Sequence, residues 1–179
     1  MLKILVAEDD MSTNKLLCAI LKINGYEAIP AFNGEAALDI IDHQHIDLLL
    51  CDVMMPKMDG WEVVREIRKY SQVPIIMLTA KSDEKDELLG FELGVDEYIS
   101  KPFSPKILVA RVEAILKRTY GDTKEIKDYD GIAIDQEGRT VKVDGKPIDL
   151  SLREYELLKY LLDNENIALS SCLLYTSDA

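Results

Sequence analysis

The sequence lacks long apolar runs and has few cysteines. No apolar stretch in the 179 residues reaches the ~18 residues of a membrane-spanning helix, so we expect no membrane contact. The first residues run directly into a strand pattern and do not have the layout of a signal peptide. The three cysteines (Cys18, Cys51 and Cys172) have no metal-binding spacing and cannot all pair, which favours reduced thiols in the cytoplasm.

Positive charge is also scarce. The chain has 21 basic and 33 acidic residues, which gives a net charge of −12. Residues up to Arg118 include 14 basic and 20 acidic side chains and the remainder 7 and 13, so each part carries −6. A nucleic-acid-binding surface needs a cluster of positive charge. Neither part therefore predicts such a surface by its charge.

The chain has instead a regular alternation of apolar runs and helical patterns. We predict strands near 3–7, 27–31, 47–51, 74–78 and 97–100, and helices near 12–24, 34–43, 60–70, 83–93 and 105–119. Gly25 and Gly94 are placed to end helices, and Ser104 with Pro105 to begin the last one. Strands that alternate with helices predict a parallel sheet covered on both faces.

The pattern changes near the middle of the chain. Residues 120–128 are polar and charged and predict a linker. Short alternating runs with turns at Gly138 and Gly145 then predict a small antiparallel sheet. The sequence SLRE at 151–154 is a capping box and predicts the start of a helix, whose pattern fails after residue 166.

Charged or hydroxyl side chains follow four of the five predicted parallel strands. They are Glu8 and Asp9, Asp52, Thr79 and Lys101, in chain order. Because the carboxyl ends of parallel strands meet at one edge of a sheet, we expect these side chains to share one pocket. Three neighbouring carboxylates stay ionised together beside a cation, and ligands that are all oxygen favour Mg²⁺.

Asp52 is the best candidate in this pocket for a covalent phosphoryl acceptor. A carboxylate can attack phosphorus to form an acyl phosphate, while Lys101 offers a positive charge and Thr79 a hydroxyl to the phosphoryl group. A simpler interpretation is that Glu8 and Asp9 only favour a helix N-terminus and that Asp52 is an unrelated loop acid. Each further strand-end residue makes that interpretation weaker.

Five segments resemble the receiver domain of two-component response regulators. They are ILVAEDD (4–10), DVMMPKMDG (52–60), PIIMLTA (74–80), GVDEY (94–98) and KPF (101–103). The resemblance implies a flavodoxin-like (βα)5 receiver, an α/β fold with a parallel sheet, over residues 1–119. It also implies a regulator with at most slow self-dephosphorylation rather than an enzyme.

The resemblance assigns roles to the acidic residues. Asp52 would take a phosphoryl group from a phosphohistidine on a sensor histidine kinase. Glu8, Asp9, the Asp52 carboxylate and the backbone carbonyl of Met54 would bind Mg²⁺, with Mn²⁺ as a substitute. A haloacid-dehalogenase-like phosphatase also forms an aspartyl phosphate, but it needs a second Asp where Met54 stands. An FMN carrier would share the sheet, but the acidic loop would repel its phosphate.

The resemblance also implies a conformational switch. Thr79, Ala80 and Lys101 would bind the phosphoryl group, and Lys101 would precede Pro102 through a cis peptide bond. As Thr79 moves toward the phosphoryl group, Tyr98 would turn inward to fill the vacated space. The alternative for Tyr98 is a half-buried strand tyrosine without a signalling role. A receiver that acts only through protein partners is a further alternative.

The segments SPKILVAR (104–111) and IDLSLREYELL (148–158) are similar to the OmpR/PhoB subfamily, which carries a winged-helix DNA-binding domain. Residues 129–166 would be the start of that domain, with its four-stranded sheet near 128–150 and its first helix at 151–164. The full-length parent would bind DNA and control transcription. Residues 167–179 do not resemble the expected recognition helix, so we expect truncation, a non-native tail and no specific DNA binding by this chain.

Phosphorylated members of the subfamily form homodimers, and six residues here match the interface positions. They are Leu89, Asp96, Glu97, Ile107, Arg111 and Arg118. The alternative is that the charged ones are ordinary solvated surface residues. The subfamily commonly pairs a basic residue with an acidic one at the positions where this chain has Leu89 and Ile107. We therefore expect an apolar contact there and a dimer whose affinity depends less on salt concentration.

Overall fold

The computed structural model describes residues 1–80, 84–121, 126–135 and 139–164. The described residues up to 121 form the first unit, and those from 126 form the second unit. The elements of the first unit are β1 Lys3–Ala7, α1 Met11–Ile23, β2 Glu27–Ala31, α2 Gly34–His43, β3 Leu48–Asp52, α3 Gly60–Arg68, β4 Ile75–Thr79, α4 Glu84–Leu93, β5 Glu97–Ser100 and α5 Pro105–Tyr120. None of the helices within the described residues has the length and apolar content needed to cross a membrane.

The strands of the first unit form one parallel sheet in the order β2-β1-β3-β4-β5. This confirms the predicted α/β class and the alternation of strands with helices. The boundaries of β3 and β4 differ from the prediction by one residue, because Asp52 and Thr79 still pair as the last strand residues. The strand order reverses between β1 and β3, and ligands of open α/β sheets bind at such a point.

Both faces of the parallel sheet are covered. Alternate strand residues such as Leu5 and Leu49 pack against α2, α3 and α4, whereas Ile4 and Leu50 pack against α1 and α5. Every residue of β3 and β4 is buried, as expected of strands between two helical layers. Each fully buried leucine or isoleucine contributes about 1.5–3 kcal/mol, so this core holds the strand ends in fixed register.

Most predicted helix ends are also found. Gly25 and Gly94 follow α1 and α4 with φ of 88° and 73°, a conformation that glycine adopts without strain. Pro105 stands in the first turn of α5, after Ser104 at the N-cap position. The Ser104 side chain makes no capping hydrogen bond, so the fixed φ of Pro105 provides the helix start rather than the predicted hydroxyl cap.

The second unit is a four-stranded antiparallel sheet followed by one helix. Its elements are β6 Ile126–Tyr129, β7 Ile132–Asp135, β8 Thr140–Val143, β9 Lys146–Ile148 and α6 Leu152–Asp163. The predicted linker 120–128 is too long, because α5 includes its first residue and β6 already pairs with β7 from residue 126. Strand pairing there overrides a polar local sequence. Gly138 and the tail 167–179 lie outside the described residues.

The predicted capping box begins α6. The Glu154 amide donates to Ser151 Oγ at 3.2 Å, and the Ser151 amide donates to Glu154 Oε2 at 2.8 Å. This start places Leu152 in full burial within the core cluster of the first unit. The next residue, Arg153, lies over the ring of Tyr70 with its Cζ 4.3 Å from the centroid. The two units therefore meet near the C-terminal ends of α2 and α3, at the sheet edge opposite the carboxyl ends of the strands.

Candidate functional site

The carboxyl edge of the parallel sheet gathers the predicted pocket residues. Glu8 directly follows β1, Asp52 ends β3, Thr79 ends β4 and Lys101 directly follows β5. Glu8, Asp52 and Thr79 are 1%, 5% and 5% exposed, so these three polar side chains lie within the protein rather than on its surface. Such burial of polar groups needs compensating contacts.

Three carboxylates lie together in this pocket. Oxygens of Glu8, Asp9 and Asp52 all lie within 4.8 Å of one another. The simpler interpretation was that Glu8 and Asp9 only favour a helix N-terminus. In the structure a different acid has that role: Asp10 is the N-cap of α1 and accepts hydrogen bonds from the amide and hydroxyl of Thr13. These hydrogen bonds lower the pKa of Asp10. Asp10 therefore serves the helix, while its two neighbours remain with Asp52.

Lys101 joins two of these acids. Its ammonium lies 2.5 Å from Glu8 Oε2 and 3.2 Å from Asp52 Oδ2. Burial by itself would lower the pKa of Lys101, but the hydrogen bond to Glu8 and the charge of Asp52 raise it above its ordinary value. The ammonium thus stays charged at neutral pH and offsets part of the repulsion among the acids.

Burial acts on the pKa of the Glu8 carboxyl in the opposite direction to its effect on Lys101. Desolvation raises its pKa, while the hydrogen bonds from Lys101 and from the Asp10 amide lower it without cancelling the rise. A second positive charge near Glu8 would favour its ionised form. The chemistry of the site is therefore that of oxygen ligands for a hard cation beside one fixed ammonium.

The backbone around Lys101 is fixed by the sheet. The Lys101 amide donates to the Thr79 carbonyl at 2.7 Å, and the bond from Lys101 to Pro102 is cis, as the resemblance implied. Ala80, predicted to contact the phosphoryl group, directly follows β4 and is exposed. Met54, two residues after Asp52, has a side chain that is largely exposed.

Tyr98 lies on β5 and is half-buried. Its ring is tilted against that of Trp61 with centroids 6.3 Å apart, and both belong to the core face formed with α2, α3 and α4. Trp61 is only 6% exposed. It therefore neighbours the predicted switch residue Tyr98 within the core.

Two residues that the sequence analysis missed shape the pocket. Asn14 is 1% exposed, and its amide nitrogen donates to the carbonyls of Val6, Glu8 and Ala31 at 3.3, 3.0 and 3.0 Å. It ties the loop after β1 to two strands. The sequence does contain a signal for Asn14, because it is a polar residue on the same face of α1 as the apolar residues Leu17 and Leu21.

Gly60 is the second missed residue. A Cβ at this position would lie 2.3 Å from the Asp52 carbonyl oxygen and 3.0 Å from Val53 Cα. The Gly60 amide also donates to the Val53 carbonyl at 2.9 Å. The glycine lets α3 begin directly against the end of β3 and so sets the backbone of Asp52.

The four charged residues of the predicted dimer interface pair within the chain. Arg111 lies 2.8 Å from Glu97, and Arg118 lies 3.9 Å from Asp96. Asp96 also accepts from the Ile75 amide at 2.9 Å. Of the two aliphatic positions, Ile107 is 52% exposed and Leu89 is partly buried against the core. The four charges therefore have partners of their own before any second chain is considered.

Known proteins are similar to this chain over most of its length. Residues 4–113 match the family model described as response regulator receiver domain. The probable transcriptional regulator ycf27 of Cyanophora paradoxa is 43% identical over 89% of this chain and 70% of its own length. The protein of the same name from Cyanidium caldarium is 41% identical over 93% of this chain and 70% of its own.

Solved structures are similar as well. Response regulator DrrB, described as a Thermotoga maritima OmpR/PhoB homolog, has a TM-score of 0.61 and 32% identity, over 99% of this chain and 86% of that chain. The receiver domain of Francisella response regulator 1452 has a TM-score of 0.63 and 34% identity, over 66% of this chain and 99% of that one. These matches confirm the resemblance to response regulators of the OmpR/PhoB type.

Proposed function

Because this chain belongs to the response regulator receiver family, we propose that it is the phosphoacceptor of a two-component system. In this proposal Asp52 takes a phosphoryl group from a phosphohistidine of a sensor histidine kinase. The observation that carries the proposal is the meeting of Asp52 with Glu8, Asp9 and Lys101 at one sheet edge. The protein would act as a regulator rather than as a turnover enzyme.

The transfer exchanges one bond to phosphorus for another. A carboxylate oxygen of Asp52 attacks phosphorus, the new O–P bond makes an acyl phosphate, and the P–N bond of the phosphohistidine breaks. The electron pair of that bond stays on the imidazole of the kinase, which takes up a proton from solvent. Lys101, 3.2 Å from Asp52 Oδ2, is placed to bind the phosphoryl oxygens through a charge-assisted hydrogen bond.

The residues present fit Mg²⁺, because clustered carboxylates suit a hard cation. Glu8, Asp9 and Asp52 would hold it together with the backbone carbonyl of Met54, and Mn²⁺ would serve as a substitute. When bound, Mg²⁺ supplies positive charge that offsets the repulsion of the acids and of the phosphoryl oxygens. Asn14 and the Asp10 amide hold the acidic loop in place, so the ligands are positioned by the chain itself.

The proposed switch uses the ends of β4 and β5. The Thr79 hydroxyl donates a hydrogen bond to the phosphoryl group, which Ala80 also contacts. As Thr79 moves toward the phosphoryl group, the side chain of Tyr98 turns inward. The phosphoryl group can shift this equilibrium only by binding one state better than the other. Support comes from the burial of Thr79 and from the place of Tyr98 beside Trp61 in the same core face.

The proposed output is dimerisation and, in the full-length parent, DNA binding that controls transcription. The face of α4, β5 and α5 would meet its copy through the six positions given above. The charged members already pair within the chain, and exposed pairs of this kind contribute little, so exchanging them across a dimer gains little. Exposed Ile107 and partly buried Leu89 instead favour an apolar contact.

The test is intact-mass measurement of the full chain after treatment with acetyl phosphate and Mg²⁺. We expect the mass of one phosphoryl group to be added to the wild type and to be lost in Asp52→Asn. Asp39→Asn is the matched control, because Asp39 is an exposed acid on α2 away from the pocket. Wild-type protein that stays unmodified, or Asp52→Asn that gains the same mass, would contradict the proposal.

A further inference from the structure

A glycine in the interior of α4 faces the predicted switch tyrosine. A Cβ at Gly90 would lie 0.8 Å from Tyr98 Oη, 2.2 Å from its Cζ and 3.1 Å from its Cε1. The first two distances are far shorter than any real contact. The end of the Tyr98 side chain therefore occupies the space that any other residue at position 90 would fill.

The backbone of Gly90 gives no other reason for a glycine. It is a buried residue within Glu84–Leu93, and it is not among the glycines with positive φ. Gly94, at the end of the same helix, has φ of 73° and needs the freedom of glycine. In a helix interior glycine is less favourable than alanine, so the side chain of Tyr98 is the feature that accounts for position 90.

We call the space left by the missing side chain of Gly90 the recess. Tyr98 reaches it from the core side of the sheet. It pairs with Met77 on the neighbouring strand, and its ring lies against Trp61 on α3. Trp61 bounds the ring on one side and α4 receives its hydroxyl end on the other. The depth to which the ring can enter is thus set by the missing Cβ of Gly90.

The geometry points to Gly90 as the positioning residue of the switch: the recess at Gly90 receives the hydroxyl end of Tyr98 while its ring lies beside Trp61, and this is the inward position that the proposed switch uses. This inference rests on the proposed function, in which the phosphorylated state holds Tyr98 inward. Filling the recess with one methyl group would force the ring outward. The state that holds the phosphoryl group would lose its aromatic packing, and its population would fall.

The test is binding of beryllofluoride, a phosphoryl mimic, to the full chain in the presence of Mg²⁺. We expect Gly90→Ala to weaken beryllofluoride binding about tenfold, the change that 1.4 kcal/mol produces. Binding of Mg²⁺ alone should be unchanged, since the acidic residues lie on other elements. Emission of Trp61, the only tryptophan of the chain, should shift as Tyr98 leaves its side.

A second background separates this role from general damage to α4. In Tyr98→Ala the recess is empty, so adding Gly90→Ala should leave beryllofluoride affinity equal to that of Tyr98→Ala alone. Glu92→Ala, on an exposed position of the same helix, should bind like the wild type. If Gly90→Ala does not fold but the double variant does, the clash with Tyr98 is the cause and the inference holds.

Other results would overturn the inference. Gly90→Ala that binds beryllofluoride like the wild type shows that the recess does not limit Tyr98. An equal loss in the Tyr98→Ala background, or failure of both variants to fold, assigns Gly90 to the packing of α4 alone. Wild-type protein that binds no beryllofluoride and gains no phosphoryl mass removes the proposed function and the inference with it, an outcome distinct from the others.

Discussion

The first unit buries apolar side chains on both faces of its sheet, whereas the second unit has a single small cluster on one face. That cluster contains the buried residues Ile134, Val141 and Tyr155, with partly buried neighbours around them. The first unit has two separate clusters that include every residue of β4 except its terminal Thr79. Because stability grows with the apolar area removed from water, the first unit should supply most of the folding free energy of the chain.

The second unit also uses the core of the first. Leu152 stands at the start of α6, yet it is fully buried in the cluster that contains Leu49 and Val63. One turn later, Tyr155 returns to the cluster of its own unit. The helix α6 therefore divides its apolar face between the two units. Thus the second unit is stabilised partly by the core of the first, through a contact remote from the acidic pocket.

The largest effect should come from matched truncations in the two cores. Leu49→Ala should lower the free energy of unfolding by about 3 kcal/mol, because Leu49 is fully buried between two helical layers. Ile134→Ala should cost about 2 kcal/mol and unfold the second unit without disturbing the first. Urea unfolding followed by circular dichroism reports both units, and Trp61 fluorescence reports only the first.

A shift of the Trp61 unfolding transition in Ile134→Ala as large as that in Leu49→Ala would contradict independent unfolding of the two units. The two units would then unfold as one cooperative body, and the small size of the second core would have no thermodynamic consequence. Retention of phosphoryl uptake in Ile134→Ala is the matching functional result, since the pocket belongs to the first unit.

A smaller effect is expected at the shared helix. Leu152→Ala should lower stability by about 2 kcal/mol, at the low end for a buried leucine because the site lies at the margin between two units. In this variant the urea unfolding transition followed by circular dichroism should no longer coincide with the one followed by Trp61 fluorescence. Leu161→Ala, on the exposed side of the same helix, is the control and should leave both transitions in place. Coincident transitions in Leu152→Ala would show that the units are joined by something else.

Much of the first unit can be predicted from the sequence because its signals are local. Apolar runs mark the buried strands, and the polar residues that follow them mark the pocket, as at Asp52 and Lys101. The start of β6 could not be predicted in this way. Its residues are polar between two apolar ends, and they become a strand by pairing with β7, which is a non-local interaction.

The missed parts of the site depend on space rather than on pattern. Gly60 and Gly90 look like ordinary helix residues in the sequence, but each is required by an atom of the neighbouring strand, at Asp52 and at Tyr98, whose distance in space the sequence does not give. The contact of Lys101 with Glu8 joins positions 93 residues apart, so the order of strand ends along the chain cannot show which acid receives the ammonium. Asn14 is the exception, since the spacing of apolar residues in α1 already places this polar side chain on the buried face of the helix.

The smallest expected effect concerns the polar contact between the units. Arg153 Nε lies 2.9 Å from Asp42 Oδ1, while the hydroxyl of Tyr70 donates to the same oxygen at 3.3 Å. Burial, with the charge of Asp42, raises the pKa of Tyr70 to about 12, so this hydroxyl keeps its proton throughout the neutral range. The guanidinium therefore meets one negative charge and one aromatic face, and both contacts favour Arg over Lys.

Arg153→Ala should therefore lower the stability of the contact by about 1 kcal/mol, less than Leu152→Ala, because a partly exposed cation–π pair is weaker than a buried leucine. Hydrogen exchange of the α6 amides should quicken in this variant, while exchange in the strands of the first unit stays unchanged. Asp149→Ala, which removes the exposed pair with Lys3 at 3.4 Å, should have no measurable effect on α6. An equal change in both variants would mean that general charge, rather than the stacking on Tyr70, holds the second unit against the first.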